Sequence, residues 1–266
     1  MLSRKTALGL LIGITVALAA IAMFVPRIPQ PQSYHAFADR RALWGIRNFG
    51  DVVSNVPFAV VGEWGLAFLL RLRGGRLSAR FVDRRERWPY LVFFVGVLLT
   101  AFGSSYYHLR PDNARLVWDR LPMTIAFMSL VAALIAERIS LRLGLWLLPA
   151  LLLIGMASVF QWYWTELHGV GDLRFYAFVQ LYAVVFLLIV MLLPSRYTCG
   201  SALVVVAGLY VLAKVLETFD AQIFRLGHVV SGHTLKHLAA ALASYWVLRM
   251  LIKRRLVVHA AALQPA

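Results

Sequence analysis

The chain has 266 residues, 61% of them hydrophobic and only 15% charged, with 27 lysines and arginines against 12 aspartates and glutamates. Soluble domains run about 45–50% apolar and about 25% charged, so this composition excludes both a water-soluble globule and a disordered chain. One cysteine, Cys199, excludes a disulfide framework and a thiolate zinc site; the basic residues lie between long apolar runs, which excludes a nucleic-acid partner.

What remains is an all-α fold, a polytopic membrane helix bundle. A helix crossing the hydrocarbon needs about 20 mostly apolar residues, and backbone amides in lipid must bond within their own helix. In chain order, eight stretches meet that requirement: residues 7–25, 52–70, 89–107, 119–136, 143–160, 175–193, 201–218 and 233–251. The runs are continuously apolar, without the alternation of a membrane barrel. Residues 1–26 read as an N-terminal membrane anchor or uncleaved signal. Ala20-Ile21-Ala22 resembles a signal-peptidase site, yet the apolar run exceeds the usual h-region of about 7–15 residues. Residues 27–47, with Pro29 and Pro31, form an external connection; 48–252 form a seven-span core and 253–266 a cytoplasmic tail.

Loop arginines set the orientation. With the N-terminus inside, sixteen basic residues face the cytoplasm, seven of them between Arg71 and Arg87, against nine outside, Arg40, Arg47, Arg110 and Arg120 among them. The positive-inside rule then places both termini in the cytoplasm. Compact length and arginine-rich loops suggest a bacterial inner membrane. Trp88, Trp118, Trp162 and Trp164 fall at span ends and fit an interfacial belt.

Polar residues inside spans are costly and face the bundle interior. Ser104 and His108 lie one turn apart at the end of the third span, as do His233 and His237 at the start of the eighth; Asp119 begins the fourth. Under the orientation above all five reach one depth, near the outer face. Three imidazoles with a carboxylate and a hydroxyl suit a catalytic zinc, which keeps three protein ligands and one open position. Asp119 would position and deprotonate water there, and Ser104 would hydrogen-bond a developing oxyanion. The bland alternatives are interfacial histidines, an Asp119 helix cap and a Ser104 packing contact.

Glu217 and Asp220 can pair with Lys214 or Lys236 as structural ion pairs. His228 is a weaker candidate for substrate contact, and His35, His168 and His259 read as loop or tail residues.

Ser104-x-x-x-His108, Asp119 and Ser231-Gly232-His233-x-x-x-His237, together with Asp51-Val52-Val53-Ser54-Asn55, resemble the alkaline ceramidase family. Its wider superfamily of seven-span hydrolases, CREST, includes the adiponectin receptors. The resemblance spans residues 48 to 251. It implies Zn2+ held by His108, His233 and His237, Asp119 and Ser104 in catalysis, and hydrolysis of the amide of a ceramide-like N-acyl membrane lipid entering sideways from the bilayer. Eukaryotic members carry a Ca2+ site; Asn48 stands where they have a glutamate, which argues against a calcium requirement. A receptor like the adiponectin receptors would use the same constellation, but no large soluble domain is present to transmit a signal. A proton- or ion-coupled transporter would show ionisable groups at several depths.

Overall fold

A computed structural model of the chain describes residues 4–257; residues 1–3 and the tail from 258 onward, His259 included, lie outside the described part. The described residues form α1 (Arg4–Phe24), α2 (Phe49–Val53), α3 (Val56–Arg71), α4 (Gly74–Ser78), α5 (Arg87–Leu109), α6 (Asn113–Arg138), α7 (Leu141–Leu167), α8 (Arg174–Val190), α9 (Ala202–Thr218), α10 (Asp220–Gly227) and α11 (Gly232–Lys253). The fold is all-α.

Local chemistry starts the long helices where they start. Asp112 accepts from the backbone N–H of Arg115 to cap α6, Ser140 from Leu143 to cap α7, and Ser231 from Thr234 to cap α11. Pro57 stands in the first turn of α3, where no intrahelical N–H is needed. Pro194 follows α8 closely, which explains why helix ends at Val190 although the apolar run continues to Leu193.

Among the described residues, five helical stretches are long and apolar enough to cross a membrane: Phe49–Arg71, Arg84–Leu109, Asn113–Arg138, Leu141–Leu167 and Gly232–Lys253. A sixth is the pair α9 and α10, if the 73° bend between them is counted within one span. The remaining two of the eight expected stretches are also helical but shorter in their apolar parts, at Gly9–Ile21 and Arg174–Val190.

The helices pack in a circuit: α3 against α5, α5 against α6, α6 against α8, α8 against α9, α9 against α11, and α11 back against α3. Outside it, α7 lies on α6 and α8, and α1 docks on α8 with Leu11 buried. Helix α6 is the most enclosed of the candidate spans, with 72% of its apolar window buried. Glycines permit these approaches. A Cβ at Gly96 of α5 would lie 2.7 Å from the Ala126 nitrogen of α6, and one at Gly62 of α3 would lie 2.7 Å from the Leu98 nitrogen of α5. Small residues of this kind let apolar helices meet backbone to backbone where lipid offers no hydrophobic drive.

One end of the bundle is closed by buried charge. Arg254, which the sequence places at the start of the tail, is fully buried; it pairs with Glu137 and stacks 4.1 Å from the Tyr197 ring centroid and 4.2 Å from that of Phe81. Glu137 also accepts from Tyr90 Oη at 2.9 Å, and Glu86 accepts from Arg196 at 2.9 Å. The helix ends carrying His108, Asp119 and His233 lie at the opposite end.

Candidate metal centre

His108 stands in the last turn of α5, His233 in the first turn of α11 and His237 one turn further on. They are 0%, 4% and 4% exposed. Their ring centroids form a nearly equilateral triangle, with 108–233 at 4.8 Å, 108–237 at 4.9 Å and 233–237 at 4.8 Å. One nitrogen from each ring lies within 4.8 Å of the others, so the three can hold a metal ion. Tetrahedral zinc with bonds of about 2.0–2.1 Å separates its nitrogens by about 3.4 Å, so the rings would close by at most about 1.4 Å.

Two observations show that a cation fits. Among the described residues, neither ring nitrogen of the fully buried His108 has a hydrogen-bond partner. An unpaired buried polar atom costs about 1–3 kcal/mol, which a metal bond would remove. His237 Nδ1 lies 2.8 Å from Ser54 Oγ, which lies 3.1 Å from the Asp51 carbonyl. With the single hydroxyl proton on that carbonyl, Nδ1–H donates to Ser54 and Nε2 keeps its lone pair for a metal. His233 is fixed through its backbone N–H, which donates to Asp220 Oδ1 at 2.8 Å, while its Nε2 lies 3.3 Å from Lys236 Nζ.

Asp119, in the second turn of α6, and Ser104, one turn before His108, are both buried, and the Ser104 hydroxyl lies near enough to the Asp119 carboxylate to act on it. Lys236, Arg120 and Glu217 act on Asp119 electrostatically. Glu217 accepts from Lys236 at 2.7 Å, from Lys214 at 2.5 Å and from Tyr34 Oη at 3.3 Å. The expected ion pair therefore forms at Glu217. Asp220 instead binds backbone, taking the N–H groups of His233 and, at 2.9 Å, Ala38.

Above the triangle runs a strap, residues 26–48. Phe37 lies 4.6 Å from the ring centroid of His108 and 4.5 Å from that of His233. His35 bridges Tyr107 Oη at 2.9 Å and Asn113 Oδ1 at 2.8 Å, and Asn48 Nδ2 donates to the His108 carbonyl at 2.8 Å. Arg41 pairs with Asp39 at 2.7 Å and grips the carbonyls of His228 at 2.7 Å and Val229 at 2.6 Å. The Arg41 hydrogen bonds hold the Asp39 carboxyl below the usual carboxylate range. Burial pushes the Tyr34 hydroxyl up.

Several placements differ from expectation. Trp162 is fully buried rather than interfacial, whereas Trp88, Trp118 and Trp164 are exposed. Beside it Arg120, counted among external arginines, is buried within an aromatic cage, 4.1 Å from the Trp162 ring, 4.6 Å from Tyr176 and 5.6 Å from Tyr34. Cation–π attraction and the 2.7 Å bond to Gln30 Oε1 offset its desolvation. The His228 side chain is exposed against Phe224, and its backbone carbonyl does the holding. Sequence reasoning missed the contacts of Asp51, whose Oδ1 accepts from Thr234 Oγ1 at 2.8 Å and Ser231 Oγ at 3.3 Å. It also missed Phe37 and Tyr34; nothing in a proline-rich connection signals that it folds back over a site. No protein-family model matches the chain, and no curated protein matches it.

Proposed function

We propose that the chain is a zinc-dependent intramembrane hydrolase that cleaves the amide bond of a ceramide-like N-acyl lipid. The observation that carries this reading is the buried histidine triangle with an orphaned imidazole, built against a buried Asp119–Ser104 pair. Zinc, when bound, supplies a Lewis acid and brings the pKa of water down to about 7. His108, Nε2 of His237 and a ring nitrogen of His233 would hold it. Asp119 takes a proton as water oxygen bonds to the amide carbon, and returns it to the nitrogen as the C–N bond breaks, giving an amine and a carboxylic acid. Ser104 orients Asp119 through its single O–H. Lys236, held by Glu217, keeps a positive charge beside the centre.

In this reading residues 48–252 are the seven-span core, with α8 and the bent α9–α10 pair each counted as a span. Helix α1 is a retained anchor, supported by its docking on α8. The site faces the outer surface. Arg41 occupies the Asp39 carboxylate, and Asn48 directs its amide to the His108 carbonyl; both support a centre working without calcium. The bend between α9 and α10 lies at the site end rather than at mid-bilayer, which favours a hydrolase over a transporter with broken helices.

Metal analysis with a panel of lipid amides on the detergent-solubilised protein tests the proposal. About one zinc per chain and release of fatty acid are expected. His237→Ala loses the metal; Asp119→Ala keeps it and loses turnover by about 10²-fold or more. Full hydrolysis by His237→Ala would falsify the assignment.

A further inference from the structure

At the end of α3 remote from the histidines, about 24 Å along its 16 residues, a cavity of about 450 Å³ opens between α3 and α4. Its wall changes character along α3. Trp64 and Phe68 of α3 supply an apolar side, buried Leu72 lies beyond them, and Arg71, Arg76 and Arg80 supply a basic mouth. Arg80 is already fixed, its guanidinium donating to the carbonyls of Ile252 and Arg254. Arg71 and Arg76 are exposed and have no acidic partner among the described residues. The acids nearest in sequence are Glu63, which does not line the cavity, and Asp83 and Glu86, which are taken by Arg85 at 2.8 Å and by Arg196 at 2.9 Å.

We propose that this cavity binds one anionic phospholipid, its phosphate between Arg71 and Arg76 and its acyl chain along Trp64 and Phe68. Charge complementarity selects the occupant. Two unpaired guanidiniums favour a phosphate and suit its geometry, whereas a choline headgroup would bring a third cation to the same mouth. The apolar wall continues the membrane-spanning surface of α3, so a ligand with a hydrocarbon tail gains contacts there that a soluble phosphate cannot. Basic pockets at the ends of membrane helices recognise lipid headgroups on this principle. The site shares no residue with the histidine centre, so it stands whether or not the chain is a hydrolase.

The test is lipid titration of the purified full-length protein in detergent, read by native mass spectrometry and by the thermal midpoint. Phosphatidylglycerol should bind more tightly than phosphatidylcholine and raise the midpoint. Arg71→Gln and Arg76→Gln should each weaken phosphatidylglycerol about fivefold. Arg76 lies in the exposed five-residue α4, so its replacement leaves the bundle intact. Arg110→Gln, which removes the same charge at the opposite end, should change nothing. Equal binding of the two lipids, equal weakening by Arg110→Gln, or displacement of phosphatidylglycerol by millimolar inorganic phosphate would each overturn the proposal.

Discussion

The hydroxyl of Ser54 carries more information than its size suggests. With its proton on the Asp51 carbonyl, 3.1 Å away, it accepts from His237 Nδ1–H and, on the proposed reading, leaves Nε2 to face the metal. Ser54→Ala removes that partner from a ligand whose ring otherwise keeps its packing. Metal affinity should fall about 10–100-fold, as measured by competition with a chelator, with helix content unchanged by circular dichroism. Affinity equal to that of the parent chain would show that packing alone orients the ring. At this scale the sequence made the three clustered histidines readable and their supports unreadable. His108, His233 and His237 announce themselves through helical spacing and costly placement in apolar runs. Ser54 is 183 residues from His237, and Asp51 is 183 from Thr234; no periodicity links positions so far apart. Phe37 was hidden for another reason, since an aromatic residue in a loop has no pattern to break.

Helix contacts are set by what is missing from side chains. On α5, Gly96 and Gly103 face α6 so closely that a Cβ at either would press on backbone atoms, those of Ala126 at 2.7 Å in the case of Gly96. Gly96→Val should therefore destabilise the protein by about 1–3 kcal/mol, seen as a lower midpoint in detergent, because backbone cannot yield as a flexible side chain would. An unchanged midpoint would mean that α5 and α6 can separate without loss. This pair also aligns Ser104 and His108 with Asp119, so the same substitution is expected to lower metal affinity. Hydrophobic runs made the long helices legible, but not their limits: α6 begins at Asn113 under an Asp112 cap rather than at Asp119. The bend of 73° after Thr218 was not legible, because it depends on Asp220 binding the backbone of Ala38 and His233 in other segments. Nor was the burial of Arg120, which needs aromatic partners from α7, α8 and the strap.

For the whole molecule, the two ends of the bundle differ in kind. One gathers histidines beneath a strap; the other is knitted by Arg254, Glu137, Glu86 and Arg196 and carries the arginine-rich α3–α5 connection. On the orientation expected from the loop arginines, the second end is the cytoplasmic one. A periplasmic reporter fused after Arg110 should be active and one after Arg80 inactive; the reverse pattern would invert the orientation and place the histidines inside. Such end-to-end asymmetry could be read from charge counts, whereas the closed circuit of helices could not, since helix neighbours far apart in sequence leave no local trace. Phe37 is pressed against two of the imidazoles and covers them on the strap side. On the hydrolase reading, a roof of this kind makes collision two-dimensional. Velocity would then track the mole fraction of lipid amide in its micelle or vesicle, and adding inert amphiphile at constant bulk concentration would slow the reaction by surface dilution alone.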